Sequence, residues 1–338
     1  MQIEHLITPY KYNRPVLTGS GVDGTFNSKA VDCPSVFRHN GRFYMMYVGF
    51  DGLGYQTALA VSDDLIHWNE KAVILPRGSA RGWDQVGMGG TALLMDNDLF
   101  GPRTLKKHDH KYWMMYHAYP ALGYESGAAE IGLCWTEDEQ LLDWHFHGPP
   151  VFSWRDGADW ERGGMYKCFL LEHEHTFYLF YNAKDRKDGQ WIEQIGMAVS
   201  DDMIHWTRSF DRPVVPVTPY AWDGHFASDP QVFFDSRAKQ WVMFYYGLGD
   251  LSACDGVAVS RDLYHWEKFP APILTIGHRR SLDSRYAHKP SMIYHENILY
   301  HFYCACRTAR ETDICTNGDE FRCISVARNV PWEDPFSE

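Results

Sequence analysis

The ten residues Leu59-Ala60-Val61-Ser62-Asp63-Asp64-Leu65-Ile66-His67-Trp68 decide how this chain is read, because they return. Met197-Ala198-Val199-Ser200-Asp201-Asp202-Met203-Ile204-His205-Trp206 repeats them, and Val257-Ala258-Val259-Ser260-Arg261-Asp262-Leu263-Tyr264-His265-Trp266 repeats them again. Weaker copies run from Leu133-Cys134-Trp135-Thr136 to Trp144 and from Ile324-Ser325-Val326-Ala327 to Trp332. Self-similarity along one chain marks a repeat architecture.

A second phrase precedes each copy. An acidic or amide residue, usually after a large ring, stands seven positions before a fixed point that opens an apolar run. The pairs are Asn27 and Pro34, Asp84 and Thr91, Glu161 and Cys168, Asp223 and Pro230, and Asp283 and Pro290. An apolar strand, a turn and an aromatic strand follow, as in Ser35-Val36-Phe37 and Phe43-Tyr44-Met45-Met46-Tyr47 across the hairpin signal Asn40-Gly41. Each unit therefore reads as strand, hairpin, strand, loop, strand ending in Ala-Val-Ser, then an outer strand ending in His-Trp. Four antiparallel strands repeated five times predict an all-β, five-bladed β-propeller, with blades at about 27–68, 84–144, 161–206, 223–266 and 283–332. The longest insertions lie in blades two and three; blade two has a hairpin at 96–111 and a second insertion near 118–130.

The bulk properties agree. The 338 residues would suggest about two domains by length alone. The repeat and the absence of any linker-like stretch argue instead for a single domain over 1–338. With 32 Lys and Arg against 44 Asp and Glu, the net charge of −12 disfavours nucleic acid and anionic membranes as partners. No run reaches the roughly 18 apolar residues of a membrane span. The 13 Trp, 20 Tyr and 19 Phe suit a strand-rich protein. The eight cysteines show no C-x-x-C spacing, so they read as buried thiols rather than a disulfide or zinc framework. Without the basic start and apolar core of a secretory signal, the expected location is cytoplasmic, with a trimmed secreted or periplasmic form as the alternative.

The repeated Trp-Asp and Ser-Asp-Asp elements, with His67, His205 and His265, read as structural because they repeat with their blades. Function belongs where the blades differ. Just before the fixed points stand Cys33, Gly90, Lys167, Asp229 and Lys289; one step earlier stand Asp32, Gly89, Tyr166, Ser228 and His288. Two carboxylates, two lysines, a histidine and a tyrosine thus converge on one mouth. Loops on the same rim offer Asp51, His117, Asn182, Lys184, Asp185, Asp250 and Arg307, and Glu130 and Glu193 begin third strands. Trp191, Tyr55 and Tyr119 offer faces for a sugar ring.

The phrases Val31-Asp32-Cys33-Pro34-Ser35-Val36-Phe37, Tyr44-Met45-Met46-Tyr47-Val48-Gly49 and Ala60 to Trp68 resemble the five-bladed propeller glycosidases of families 32, 43, 62, 68, 117 and 130. The resemblance runs from about Asp23 to Trp332 and singles out no one family. It implies a glycoside hydrolase, exo-acting on a terminal sugar of an oligosaccharide that is neutral or anionic. Asp32 resembles the first-blade carboxylate that acts as base or nucleophile, although Cys33 separates it from the proline. Asp229 resembles the Asp-Pro element that supports the transition state. His288 is either a proton donor or a ligand of a structural cation such as calcium near the axis, the one cofactor the resemblance allows. Lys167, Lys289, Arg307, Glu193, Asp51, Tyr166 and Trp191 are expected to bind substrate.

Such chemistry needs one group to protonate the leaving oxygen and another to attack or activate water, about 5–5.5 Å apart for retention and about 6.5–9.5 Å for inversion. The lysines admit three explanations: internal pairs with Asp32 and Asp229, an anionic sugar, or inorganic phosphate in a phosphorylase. A non-catalytic glycan-binding propeller is the alternative of a different class.

Overall fold

The computed structural model describes residues 3–78 and 82–333, and among them there is no α-helix. Two short strands, β1 (Tyr10–Lys11) and β2 (Leu17–Thr18), come first. The chain then lays down β3 (Ala30–His39), β4 (Arg42–Phe50), β5 (Tyr55–Ser62) and β6 (Asn69–Leu75), paired in that order and antiparallel. The second group is β7 (Gly87–Leu93), β8 (Lys107–His108), β9 (Lys111–Tyr119), β10 (Glu130–Thr136) and β11 (His145–Phe146), with β9 between β7 and β10. A third holds β12 (Met165–His173), β13 (Thr176–Lys187), β14 (Gln190–Ser200) and β15 (Thr207–Arg208). A fourth holds β16 (Phe226–Asp235), β17 (Gln240–Leu248), β18 (Ala253–Ser260) and β19 (Glu267–Lys268). The last holds β20 (Tyr286–His295), β21 (Ile298–Thr308) and β22 (Glu320–Arg328).

In that last group the outer edge is filled from the other end of the chain. Tyr10 lies opposite Arg328 and Leu17 opposite Ile324, so β1 and β2 continue the sheet beyond β22. The expectation of an outer strand near Trp332 is corrected by this pairing. A second correction concerns the His-Trp pairs, which precede the outer strands instead of ending them: β6 begins at Asn69, β15 at Thr207 and β19 at Glu267. The reason is local. Asp64 Oδ1 accepts the N–H groups of Ile66 and His67 at 2.9 and 2.8 Å, which folds Ser-Asp-Asp into a turn. Asp202 Oδ1 and Asp262 Oδ1 do the same, accepting the N–H groups of His205 and His265 at 2.8 and 2.9 Å. These residues are structural, as their repetition implied.

The first strands of the groups form a closed ring, β3 beside β7, β7 beside β12, β12 beside β16, β16 beside β20, and β20 beside β3. The apolar core lies between neighbouring groups. Phe37, Met46, Met114 and Tyr116 fill the first junction, and Leu94, Met115, Leu170 and Leu179 the next. Val36, Met45, Phe302 and Val326 join the last group back to the first. The acid ahead of four of the five inner strands takes a tyrosine hydroxyl: Tyr116 to Asp84 at 2.9 Å, Tyr181 to Glu161 at 2.6 Å, Tyr245 to Asp223 at 3.1 Å, and Tyr303 to Asp283 at 3.2 Å.

Candidate active site

The inner strands break register just where the sequence is asymmetric. Bulges fall between Asp32 and Ser35, Gly90 and Ala92, Tyr166 and Cys168, Ser228 and Gln231, and His288 and Ser291. Cys33, Asp229 and Lys289 take φ of 53°, 55° and 64° there, although each precedes a proline, which ordinarily holds the preceding residue extended. A left-handed residue at a bulge re-aims side chains, and such strain collects at functional sites.

Asp32 is 1% exposed and both its oxygens are fully used. Oδ2 accepts from Arg322 Nη1 at 2.7 Å, Lys289 Nζ at 2.9 Å and the Tyr124 hydroxyl at 3.0 Å. Oδ1 accepts from the Cys33 N–H at 2.9 Å and Cys304 Sγ at 2.6 Å. Burial opposes its charge, but the fields of Arg322 and Lys289 hold the carboxyl well below its usual range. With no oxygen to spare, Asp32 is an anchor for two cations. This is the residue expected to attack or activate water, and here it is engaged with Lys289, Arg322, Tyr124 and Cys304.

Lys167 faces Asp229 at 3.1 Å, and Asn182 donates to Asp229 Oδ1 at 2.6 Å. Lys289 also meets Glu125 at 3.3 Å, and Arg322 Nε meets Glu320 at 2.8 Å. Of the three explanations for the basic mouth, internal pairing is the one observed: Lys167, Lys184, Lys289 and Arg322 are matched by Asp32, Glu125, Asp229, Glu193 and Glu320.

Glu193 behaves differently. Burial pushes its carboxyl up to about 7, only partly offset by Lys184, whose Nζ stands 4.0 Å away. Ser228 Oγ donates to it at 2.8 Å. Glu125 is held below its usual value because Lys289 and Lys184 outweigh burial. One small cavity of about 20 Å³ is lined by Glu125, Glu193, Asp229, Lys167, His117 and Tyr166. A larger one of about 150 Å³ shares Glu125, Tyr246 and Lys289 with it and adds Tyr124, Tyr286, His288 and Arg322.

His288 lines the larger cavity, with Nδ1 3.1 Å from the Cys304 carbonyl. Burial, then Arg322 and Lys289, push its pKa well below the usual 6.5. Burial and these two cations therefore favour the neutral imidazole at the residue expected to be a proton donor or an ion ligand. The same two cations oppose a metal ion at this place. Among the described residues no group of three or more His, Cys, Asp or Glu is arranged to hold one.

Three expected binding residues lie apart from both cavities. Asp51 pairs with Arg77 at 2.5 Å and accepts the N–H groups of Leu53 and Gly54. Arg307 is bidentate to Asp313, both contacts 2.7 Å, and stacks on Phe321. Trp191 lies under Lys184 and Arg186 at 4.9 and 5.1 Å. Conversely, Glu125, Tyr124 and Arg322 were not singled out from sequence. The first two sit in the second insertion of the second group, which reaches across to Lys289. Arg322 holds in β22 the register that Glu193 holds in β14, because Ser325 faces Tyr303 as Gly196 faces Tyr181. Carrying the blade alignment into the third strands would have exposed Arg322 as it did Glu193.

No protein-family model matches the chain. A 1,2-beta-oligomannan phosphorylase from Thermoanaerobacter sp. (strain X514) is 30% identical over 127 residues, 35% of this chain and 41% of that protein. The matched stretch thus spans less than half of the relative's length. Among solved structures, one described as a complex of BT0996 and RGII has 28% identity and a TM-score of 0.81, covering 99% of this chain and 94% of that one. Another, described as a glycoside hydrolase, has the same identity and TM-score over 98% of this chain and 94% of its own. A thermostable family-43 glycoside hydrolase at 18% identity shares the fold, with a TM-score of 0.65 over 94% of this chain and 97% of its own. The chain resembles the propeller glycoside hydrolases, and no single family among them is resolved.

Proposed function

We propose that this chain is a single-domain, five-bladed propeller glycosidase that hydrolyses a terminal, neutral sugar from an oligosaccharide. The observation that carries the reading is a pair of carboxyls in one cavity with opposite shifts, Glu193 raised to about 7 and Glu125 lowered. Paired carboxyls driven apart in this way are the acid and base of glycoside cleavage. Protonated Glu193 gives its proton to the glycosidic oxygen as the bond to the anomeric carbon breaks. Ionised Glu125 takes a proton from the water that attacks that carbon, and the small cavity is of water size. Asp229, fixed by Asn182 and Lys167, supports the positive charge that develops on the sugar. Asp32 positions Lys289 and Arg322.

The cavity of about 150 Å³ suits one sugar ring and so an exo-acting enzyme. Similar proteins described as an RGII complex and an oligomannan phosphorylase support an oligosaccharide substrate. That phosphorylase also supports a second reading, phosphorolysis. Cations already matched by carboxylates leave little charge for phosphate, which favours water. The buried cysteine thiols support a reducing, cytoplasmic setting.

The test is turnover of a panel of aryl glycosides and oligosaccharides with and without phosphate. Hydrolysis predicts the same rate in both, and a loss of about 10²–10⁴-fold in Glu193→Gln and in Glu125→Gln. Dependence on phosphate with release of a sugar phosphate would establish the phosphorylase instead. Glycan binding without turnover at any pH would establish a binding propeller.

A further inference from the structure

The hairpin at 96–111 in the second group crosses beneath the ring of inner strands. The Arg38 N–H of β3 donates to its Arg103 carbonyl at 3.0 Å, and Leu99 N–H donates to the Phe234 carbonyl of β16 at 2.9 Å. Phe100 packs edge-on against Tyr294 of β20 at 5.0 Å. One hairpin therefore touches three inner strands. Phe233 lies four residues beyond Asp229 and Arg38 six beyond Asp32, so the hairpin sits roughly 13–20 Å down the strands from the mouth, at about 3.3 Å per residue.

At its tip Arg103 is 1% exposed, and Nε, Nη1 and Nη2 all lack a hydrogen-bond partner among the described residues. The guanidinium lies over Phe233 at 4.3 Å and near Phe169 at 5.5 Å. No carboxylate of the described residues forms an ion pair with it; Asp96 acts only through its field, and burial pulls its pKa down to about 9. Asn97 is also buried, with Oδ1 and Nδ2 both unpartnered among those residues. Asp96 N–H bonds the Thr104 carbonyl at 2.8 Å, which places Asn97 and Arg103 opposite each other one step further along the hairpin. A buried cation with idle donors is costly unless something neutralises it. Two ring faces allow only a small partner.

We propose that Arg103 and Asn97 bind a small monovalent anion of the halide type inside the propeller, beneath the catalytic cavity and separate from it. The anion accepts from the guanidinium and from Asn97 Nδ2, and it holds the hairpin against the inner strands. Its role is structural, so this inference stands whether or not the reaction is hydrolysis.

The test is crystallographic and thermal. Crystals of the wild-type protein in sodium bromide are expected to show an anomalous peak within contact distance of the Arg103 guanidinium and Asn97 Nδ2. At constant ionic strength, replacing gluconate with chloride should raise the unfolding midpoint by a few degrees, an increment lost in Arg103→Met. Electron density for water alone at Arg103, with no bromide signal, would overturn the proposal. So would an Arg103→Met protein with the same chloride increment. If that variant does not fold, the wild-type bromide experiment decides.

Discussion

Glu193 sits where burial works against its charge, and that single conflict carries a stability cost and, in the proposed mechanism, the acid. Its folded pKa of about 7 exceeds the usual 4.5, so the native state binds a proton that the unfolded chain has released between those values. Stability from this group therefore falls as pH rises from about 4.5 to about 7 and is level above. Glu193→Gln should be more stable than wild type at pH 8 by on the order of 2–3 kcal/mol, read from urea unfolding. It should also remove the alkaline limb of kcat/KM, which in the wild type falls as pH passes about 7. A variant with an intact alkaline limb would show that another group supplies the proton. Asp32 makes the opposite case. In Asp32→Asn, Lys289 and Arg322 lose a buried partner, and about 3–5 kcal/mol of stability should go with it, measured by the same unfolding. If Asp32→Asn instead folds with wild-type stability while losing activity, Asp32 belongs in the chemistry.

At the scale of the strand, the repeat works by close approach. A Cβ on Gly196 of β14 would stand 2.4 Å from Cζ of Tyr181, and one on Gly132 of β10 equally close to Tyr116. The tyrosine must lie flat across the next strand to bring its hydroxyl to Glu161 or Asp84. In the first group Ala58 faces Tyr47 instead, and there the hydroxyl goes to Glu70 at 2.9 Å, from a different direction. Gly196→Ala is expected to cost about 1–3 kcal/mol through overpacking, with the melting midpoint as the readout and little change in KM. The turns respond more mildly: Asp202→Ala removes acceptors for Ile204 and His205, and about 0.5–2 kcal/mol is expected by analogy with lost caps.

For the molecule as a whole, closure is the sensitive point. Besides strands β1 and β2, the start of the chain sends His5 to Asp235 at 2.8 Å, Thr8 to His301 at 2.8 Å, and Lys11 to Asp283. Removing residues 1–18 would bare the edge of β22 and strand these partners. The expected loss is comparable with the full stability of a domain, about 5–15 kcal/mol, so the shortened chain should fail to accumulate as folded, soluble protein. Near-wild-type circular dichroism and melting of that chain would contradict the closure described here.

Local chemistry alone determined much of this. Asn40-Gly41 takes φ of 48° and 78° because the hairpin twist requires both to be positive, and that is legible in two letters. The repeated turns, the alternating apolar strands and the inner-strand positions Asp32, Lys167, Asp229 and His288 were legible in the same way, since a side chain's place along a strand follows from counting. What each group does was not. Only the folded ring brings Arg322 and Tyr124, nearly two hundred residues apart in sequence, onto Asp32, and only burial, partly offset by Lys184, raises the Glu193 carboxyl. Charge depends on neighbours in space, and in a closed ring those neighbours come from blades that no local pattern connects.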